Sequence, residues 1–256
     1  MNKAIIDIES FIYRSCAATN VLVEKANGIY IQGYKLSNAI DYIEETINDI
    51  CGVTGCDDVL LAFGSTRNYR KILNPEYKAN RKDSAKHPML GKVVSTVAEK
   101  FNSTYIDWLE ADDVCRIVYT SNPFDYTVVS IDKDLKSFPC KLYNPNEPDK
   151  GVQEITTKEA ARNFARQVLG GDKADGYSGL KGYGEVKIEK LLDSMPDYNI
   201  DTIKDTFINS GGELLDFINN YNMAKILSRD EYYEGKGLKL YNTYFDFDKG
   251  VQVERL

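Results

Sequence analysis

Two observations predict an α/β fold with a largely parallel central sheet flanked by helices, followed by a helical subdomain. Short apolar runs alternate with helical periodicities through the first two thirds of the 256-residue chain, the order that builds a parallel sheet with crossover helices. After Gly170 the apolar runs give way to helical spacing with glycine-rich joints. The expected domains are residues 1–168 and 169–256. A chain of this length buries a substantial core without disulfides or a structural metal.

Taken in order, Ala4-Ile5-Ile6 reads as a buried strand ending at Asp7. Ile40, Ile43, Ile47 and Ile50 recur at helical spacing and predict an amphipathic helix over residues 36–51. Val59 to Phe63 is a second buried strand. A polar connection of roughly 25 residues follows, holding Pro75 and Pro88, and so long a connection marks a lid, a binding loop or disorder. Periodicity resumes from Leu90 to Ala98, and a further helix begins near Glu110 and runs through Tyr119. Tyr126 to Ile131 is a third buried strand, ending at Asp132. Thr156 with Glu159 fits a capping box that opens a helix with Ala160, Phe164, Ala165 and Val168 on its apolar face. Ile188–Leu192, Ile203–Phe207 and Leu214–Leu227 read as the helices of the second region.

Composition excludes several classes. With 43% hydrophobic and 28% charged residues, the chain is neither disordered nor fibrous. No apolar run approaches the roughly 18 residues of a membrane span, and no export signal is expected. Five scattered cysteines, an odd number, suit reduced thiols and a cytoplasmic location. A single histidine, His87, argues against Ser-His-Asp or Cys-His catalysis and against histidine-rich zinc sites.

The net charge of −7, taken alone, disfavours a nucleic-acid partner, because phosphate binding needs positive charge. The distribution says otherwise. Residues 67–92 carry eight basic and two acidic residues, a local +6 that leaves −13 for the rest of the chain. Arg67, Arg70, Lys71, Lys78, Arg81 and Lys82 lie there among Tyr69 and Tyr77, a mixture suited to meeting phosphates and stacking on bases. A solvated loop with ordinary surface lysines is the bland alternative.

Acidic residues recur where buried strands end. Asp7 closes the first strand, and Asp132 and Asp134 follow the third. In open α/β sheets the ligand crevice lies outside the carboxyl ends of the strands, so these carboxylates are expected to converge. Glu110, Asp112 and Asp113 cluster at a helix start, and Asp172 and Asp175 at the joint to the helical region. Oxygen ligands without histidine or thiolate suggest Mg²⁺ or Mn²⁺. Helix-dipole complementation, a pairing of Asp112 with Arg116 and a solvated turn at 132–134 are the competing explanations. The turn Gly179-Leu-Lys181-Gly182-Tyr-Gly184 precedes a helix and could bring backbone N–H groups to a phosphate, but it lacks P-loop spacing.

Four motifs in order give the whole a likeness: Asn74-Pro-Glu-Tyr-Lys-Ala-Asn-Arg-Lys82, Leu109-Glu-Ala-Asp-Asp113, Ser130-Ile-Asp-Lys-Asp-Leu-Lys136 and Gly171-Asp-Lys-Ala-Asp-Gly-Tyr-Ser-Gly-Leu-Lys-Gly-Tyr-Gly184. Over residues 3 to 230 the chain resembles the 5′→3′ exonuclease and flap endonuclease superfamily, especially the 5′→3′ exonucleases of short-tailed bacteriophages. That resemblance implies a PIN-like nuclease domain, a helical subdomain with a helix-three-turn-helix element, and metal-dependent hydrolysis of DNA from a 5′ end. It implies two Mg²⁺ or Mn²⁺ sites. Asp7, Glu110 and Asp112 match the first, Asp132, Asp134, Asp172 and Asp175 the second, with Asp113 between them. Lys78 and Arg81 match basic residues of an arch over the scissile phosphate, and Tyr77 matches an aromatic there. The turn 179–184 matches an element that grips duplex backbone, in some members with a bound K⁺. The implied partners are duplex DNA, flaps or RNA–DNA hybrids, with no membrane.

One departure stands out. Ser65 occupies the position where the family carries a metal-site aspartate after the second strand. Two alternatives therefore stand beside the nuclease: a catalytically weakened DNA-junction binder of the same fold, and a PIN-type ribonuclease. Glu9 lies on the stretch after Asp7, placed either toward the acidic cluster or into the following helix.

Overall fold

The computed structural model describes residues 2–25, 28–81, 85–122 and 125–254. In chain order, β1 (Lys3–Asp7) leads into α1 (Glu9–Ala18), a hairpin of β2 (Asn20–Lys25) and β3 (Ile29–Tyr34), α2 (Leu36–Thr54) and β4 (Asp58–Phe63). The short α3 (Tyr69–Leu73) precedes α4 (Leu90–Lys100), β5 (Ser103–Tyr105), α5 (Ala111–Ser121), β6 (Tyr126–Val129), β7 (Cys140–Tyr143) and β8 (Val152–Ile155). Then come α6 (Thr157–Gly170), a two-stranded ribbon of β9 (Gly171–Asp172) and β10 (Tyr177–Ser178), and helices α7 (Glu185–Ser194), α8 (Ile200–Asn209) and α9 (Leu214–Ala224). The chain closes with β11 (Tyr232–Tyr233), β12 (Gly237–Lys239), β13 (Thr243–Asp246) and β14 (Val251–Glu254).

The central sheet has the order β5-β4-β1-β6-β7-β8. All its neighbours run parallel except β7 and β8. The chain moves outward from β1 to β4 and β5, then returns to lay β6 against the other side of β1. The switch point therefore falls at the carboxyl end of β1, where the ligand crevice of such a sheet is expected.

Both faces of the sheet are covered, which is why its strands read as continuous apolar runs rather than alternating ones. Ala4 and Ile6 point to a core shared with α1, α2 and α4, while Ile5 points to one shared with α5 and the C-terminal strands. The isoleucine stripe of α2 is buried throughout. Each such side chain contributes about 1.5–3 kcal/mol relative to exposure. The expected capping box of Thr156 and Glu159 is present at the start of α6. Among the described residues no helix is long and apolar enough to cross a membrane.

The structure differs from expectation at two places. The long polar connection after β4 holds α3 and a 3₁₀ turn at Ala79–Arg81. The helical region ends at Ala224, and β11–β14 form an antiparallel sheet. Leu238, Leu240 and Phe245 from that sheet pack into the same core as Ile5, Leu109 and Val114. The last strands thus join the core of the first region, while α7–α9 with the end of α6, Tyr77 and Tyr177 enclose a separate core around Phe207 and Phe217. Phe245 is fully buried and meets Tyr69, Trp108 and Phe247. Phe245→Ala should therefore destabilise the protein by about 3–5 kcal/mol in denaturant melts; a loss below about 1 kcal/mol would make the C-terminal sheet an accessory layer.

Candidate functional site

The parallel strands deliver carboxylates to one edge. Asp7 is the last residue of β1, and the loop after β6 lies beside it. Ser130 Oγ donates to Asp7 Oδ2 (3.0 Å) and accepts the Asp132 N–H (3.0 Å), so one hydroxyl fixes both strand ends. Burial pushes the Asp7 carboxyl up to about 7, with the charges of Glu9 and Asp132 adding to the rise against the Ser130 hydrogen bond. Asp132 caps the 3₁₀ turn Lys133–Ser137 by accepting the Asp134 N–H at 2.9 Å. Burial and the Asp132 charge raise Asp134 to about 6, although Gln167 donates to it at 2.6 Å. Lys133 Nζ lies 3.8 Å from Asp172 Oδ2 and links this turn to the β9–β10 ribbon.

A second group forms around Glu110, the N-cap of α5. Glu110 accepts from Lys78 Nζ (2.5 Å), Tyr77 OH (2.7 Å) and an Arg70 guanidinium nitrogen (3.2 Å). Burial alone would raise its pKa, but Arg70 and Lys78 outweigh it and hold the carboxyl at about 2. For Asp112 the same two cations are outweighed: burial first, then the neighbouring Asp113, push it well above the ordinary carboxylate range. Lys78 Nζ also lies 3.7 Å from Asp175 Oδ2, and Arg81 pairs with Asp175 Oδ1 at 2.7 Å. A single ammonium thus stands between the α5 acids and the ribbon acids. Burial works against its charge, but Glu110, Asp112 and Asp175 keep it protonated.

The ribbon is held against this segment by its backbone. Lys78 N–H donates to the Asp175 carbonyl at 2.9 Å, with Lys78 itself in the left-handed region (φ 53°). Gly176 (φ 81°) has no room for a side chain, since a Cβ there would stand 2.1 Å from the Glu76 carbonyl oxygen. Beside these groups opens a cleft of about 610 Å³ lined by Tyr13, Lys71, Lys78, Arg81, Lys86 and Glu110. Its cations come from the basic segment read in the sequence.

Several expected site residues lie elsewhere. Asp113 is fully buried and paired with Arg70, which is 1% exposed. Arg70 therefore cannot contact a nucleic acid. Tyr69 and Tyr77 are also buried and serve packing and the Glu110 hydrogen bond instead of base stacking. Gly179 packs directly on the end of α6, where a Cβ would meet the Gly170 backbone at 2.1 Å, whereas Gly182 and Gly184 are open and Lys181 is exposed. Arg67 is exposed but ion-paired with Asp107 and placed over Trp108. Lys82 lies outside the described residues. Among the described residues no three acidic, cysteine or histidine side chains close around a single point; Glu110 is turned to Lys78, Tyr77 and Arg70.

Tyr13, Ser130 and Asp107 were not anticipated. Tyr13 is 50% exposed on α1 at the mouth of the cleft, and an aromatic residue six positions after a strand-end aspartate was the available signal. Ser130 reaches Asp7 and Asp107 reaches Ser65 across 123 and 42 residues, contacts that no local pattern announces. The assignment of Arg70 has a direct check. Arg70→Ala should cost about 3–5 kcal/mol of stability without any ligand, because it leaves a buried carboxylate unpaired; an unchanged melting temperature would return Arg70 to the surface.

No protein-family model matches the chain. It is 32% identical over 136 residues to an exodeoxyribonuclease of Enterobacteria phage T3, a match covering 50% of this chain and 44% of the relative. An exonuclease of Escherichia phage T7 is 31% identical over 141 residues with the same coverage. The matches thus span less than half the length of these curated relatives. The D15 protein of bacteriophage T5, co-crystallised with metal ions, superposes with a TM-score of 0.65 at 15% identity, covering 88% of this chain and 90% of that one. The T5 D15 flap endonuclease in a complex with DNA and metal ions gives a TM-score of 0.62 at 14% identity. Over about half its length the chain is thus similar in sequence to exonucleases of phages T3 and T7, and its fold is that of the T5 D15 protein.

Proposed function

We propose that this protein is a divalent-metal-dependent 5′→3′ exonuclease that hydrolyses duplex DNA from a 5′ end, leaves 5′-phosphate products and acts on flaps as well. The observation that carries this reading is the placement of Lys78. Its ammonium sits between Glu110 and Asp175, carboxylates of two separate acidic groups, at the wall of a cationic cleft. A site that already holds one cation between hard oxygen donors, beside the buried carboxyls of Asp7 and Asp112 whose pKa values are raised, fits a Mg²⁺ or Mn²⁺ centre. The exonucleases of phages T3 and T7 and the DNA-bound T5 flap endonuclease agree with it.

In this reading Asp7, Glu110 and Asp112 hold one ion and Asp132, Asp134, Asp172 and Asp175 the other. Bound ions would supply the Lewis acidity that activates water and stabilises the leaving 3′-oxygen. The chain's own residues do the rest. Lys78 and Arg81 present positive charge to the phosphoryl group, Arg81 from an exposed position and Lys78 from a partly buried one where such charge counts most. Lys71 and Lys86 meet backbone phosphates along the cleft, and the exposed ring of Tyr13 offers a stacking surface for a base. The open turn at Lys181 to Gly184, at the start of α7, grips duplex backbone with or without K⁺, so that the α7–α9 region is the DNA-binding subdomain.

A second reading is favoured by Ser65, which follows β4 without adding a carboxylate to the edge. It makes the chain a DNA-junction binder with little catalysis. A 5′-labelled duplex incubated with Mg²⁺ and then Mn²⁺ separates the two: release of 5′ nucleotides supports the nuclease, and release only from Ser65→Asp supports the binder. Replacing Asp132 and Asp134 together by Ala should abolish that release, and unchanged release would remove the second acidic group from the mechanism. Lys78→Ala should lower turnover about 10²–10³-fold while weakening duplex affinity far less. Equal losses would make Lys78 a positioning contact only.

A further inference from the structure

The edge of the sheet is asymmetric. β1 ends in Asp7 and Asp132 follows β6, but after β4 the chain reads Gly64-Ser65-Thr66. The Ser65 hydroxyl is committed twice: it donates to Asp107 Oδ1 at 2.8 Å and accepts the Arg67 N–H at 3.1 Å. Asp107 is occupied in turn. It accepts from Arg67 Nε at 3.0 Å and from the Trp108 N–H at 3.0 Å, besides its ion pair with Arg67. Neither residue is available to a cation at the tip of β4.

Glu9 is differently placed. It is the first residue of α1, yet its carboxylate caps nothing in that helix, whose N-terminus has no side-chain cap. It folds back over β4 instead, where Oε1 accepts the Gly64 N–H at 3.0 Å. A Cβ on Gly64 would lie 3.1 Å from that oxygen and 3.5 Å from the Glu110 Cα, so Glu9 and Glu110 flank the same glycine. Among the described residues the Glu9 carboxylate accepts that one N–H, Oε2 accepts no hydrogen bond, and no lysine or arginine pairs with it. Glu9 is thus an exposed carboxylate with no cationic partner among the described residues, between the end of β1 and the N-cap of α5.

We infer that Glu9 is a ligand of the divalent ion at the β1 end, directly or through one water, and supplies there the negative charge that Ser65 does not. This rests on the metal-dependent nuclease reading and adds a residue to it. The backbone N–H of Gly64 orients the carboxylate by holding Oε1, which leaves Oε2 for the ion. A side chain at position 64 would crowd that oxygen, whose distance from a Cβ there is 3.1 Å, and shift it by a few tenths of an ångström.

Mn²⁺ titration followed by electron paramagnetic resonance of the free ion tests the inference without any turnover, using the full chain. Wild type, Glu9→Gln, Ser65→Ala and the double variant Glu9→Gln with Ser65→Asp are compared. Glu9→Gln should weaken one Mn²⁺ site by at least about tenfold, since even outer-shell partners of a metal are worth that much. Ser65→Ala should change it less than about twofold on the same scale, and the double variant should regain affinity. In EDTA, Glu9→Gln should melt at or above the wild-type temperature, because its amide oxygen still accepts from Gly64 and one unpaired charge is gone. Unaltered Mn²⁺ binding in Glu9→Gln would overturn the inference and leave the nuclease reading standing. Loss of Mn²⁺ binding in Ser65→Ala with a lowered EDTA melt for Glu9→Gln would make Glu9 a loop tether. Failure of the wild type to bind Mn²⁺ would defeat the nuclease reading itself.

Discussion

The buried pair of Arg70 and Asp113 is the interaction on which the site depends. Two guanidinium nitrogens meet the two carboxylate oxygens at 2.6 and 2.9 Å, and both side chains are out of contact with water. Arg70 spends its other donors on the carbonyls of Met223 and Lys225, and Asp113 Oδ1 also accepts the Leu227 N–H. One pair therefore joins α3, the first turn of α5 and the exit of α9. Taking two charges out of water is costly, and the surrounding hydrogen bonds are what make the arrangement tolerable. Its position explains why: it sits under Glu110 and Asp112 and sets where α5 presents them. Asp113 also accepts the Glu110 N–H and completes the capping box that starts the helix.

From that anchor the electrostatics divide into compensated and uncompensated acids. Glu110 and Asp175 have cations at hand, while Asp7, Asp112 and Asp134 are raised by burial and by other neighbouring carboxylates. For Asp175, burial still prevails over Lys78 and Arg81. Like charges held close together represent stored repulsion, and a divalent ion relieves it more effectively than a single ammonium. The global charge of −7 thus reflects two populations: acids gathered at a sheet edge, and a basic segment carried over them.

Much of this was legible in the sequence for local reasons. The isoleucine spacing of α2, the capping box of α6 and the aspartates closing β1 and following β6 all express themselves within a few residues. The strand-end rule then brought Asp7 beside Asp132 without any knowledge of distance. The failures are nonlocal. Composition counted Arg70, Tyr69 and Tyr77 as charge and aromatic surface, but their burial is decided by partners 33 to 153 residues away. The C-terminal sheet was hidden because its strands are two to four residues long, too short for alternation to declare itself. Glu9 was placed in either of two directions because a helix-start carboxylate usually serves its own helix; here Gly64 claims it.

The central claim is that the acids at the sheet edge form a two-ion centre that Lys78 partly neutralises in its absence. Anomalous diffraction from a Mn²⁺-soaked crystal tests it most directly. The account predicts two peaks, one among Asp7, Glu110 and Asp112 and one among Asp132, Asp134, Asp172 and Asp175, with the Lys78 ammonium withdrawn from Glu110. No peak at saturating Mn²⁺, with Lys78 still seated on Glu110, would contradict it.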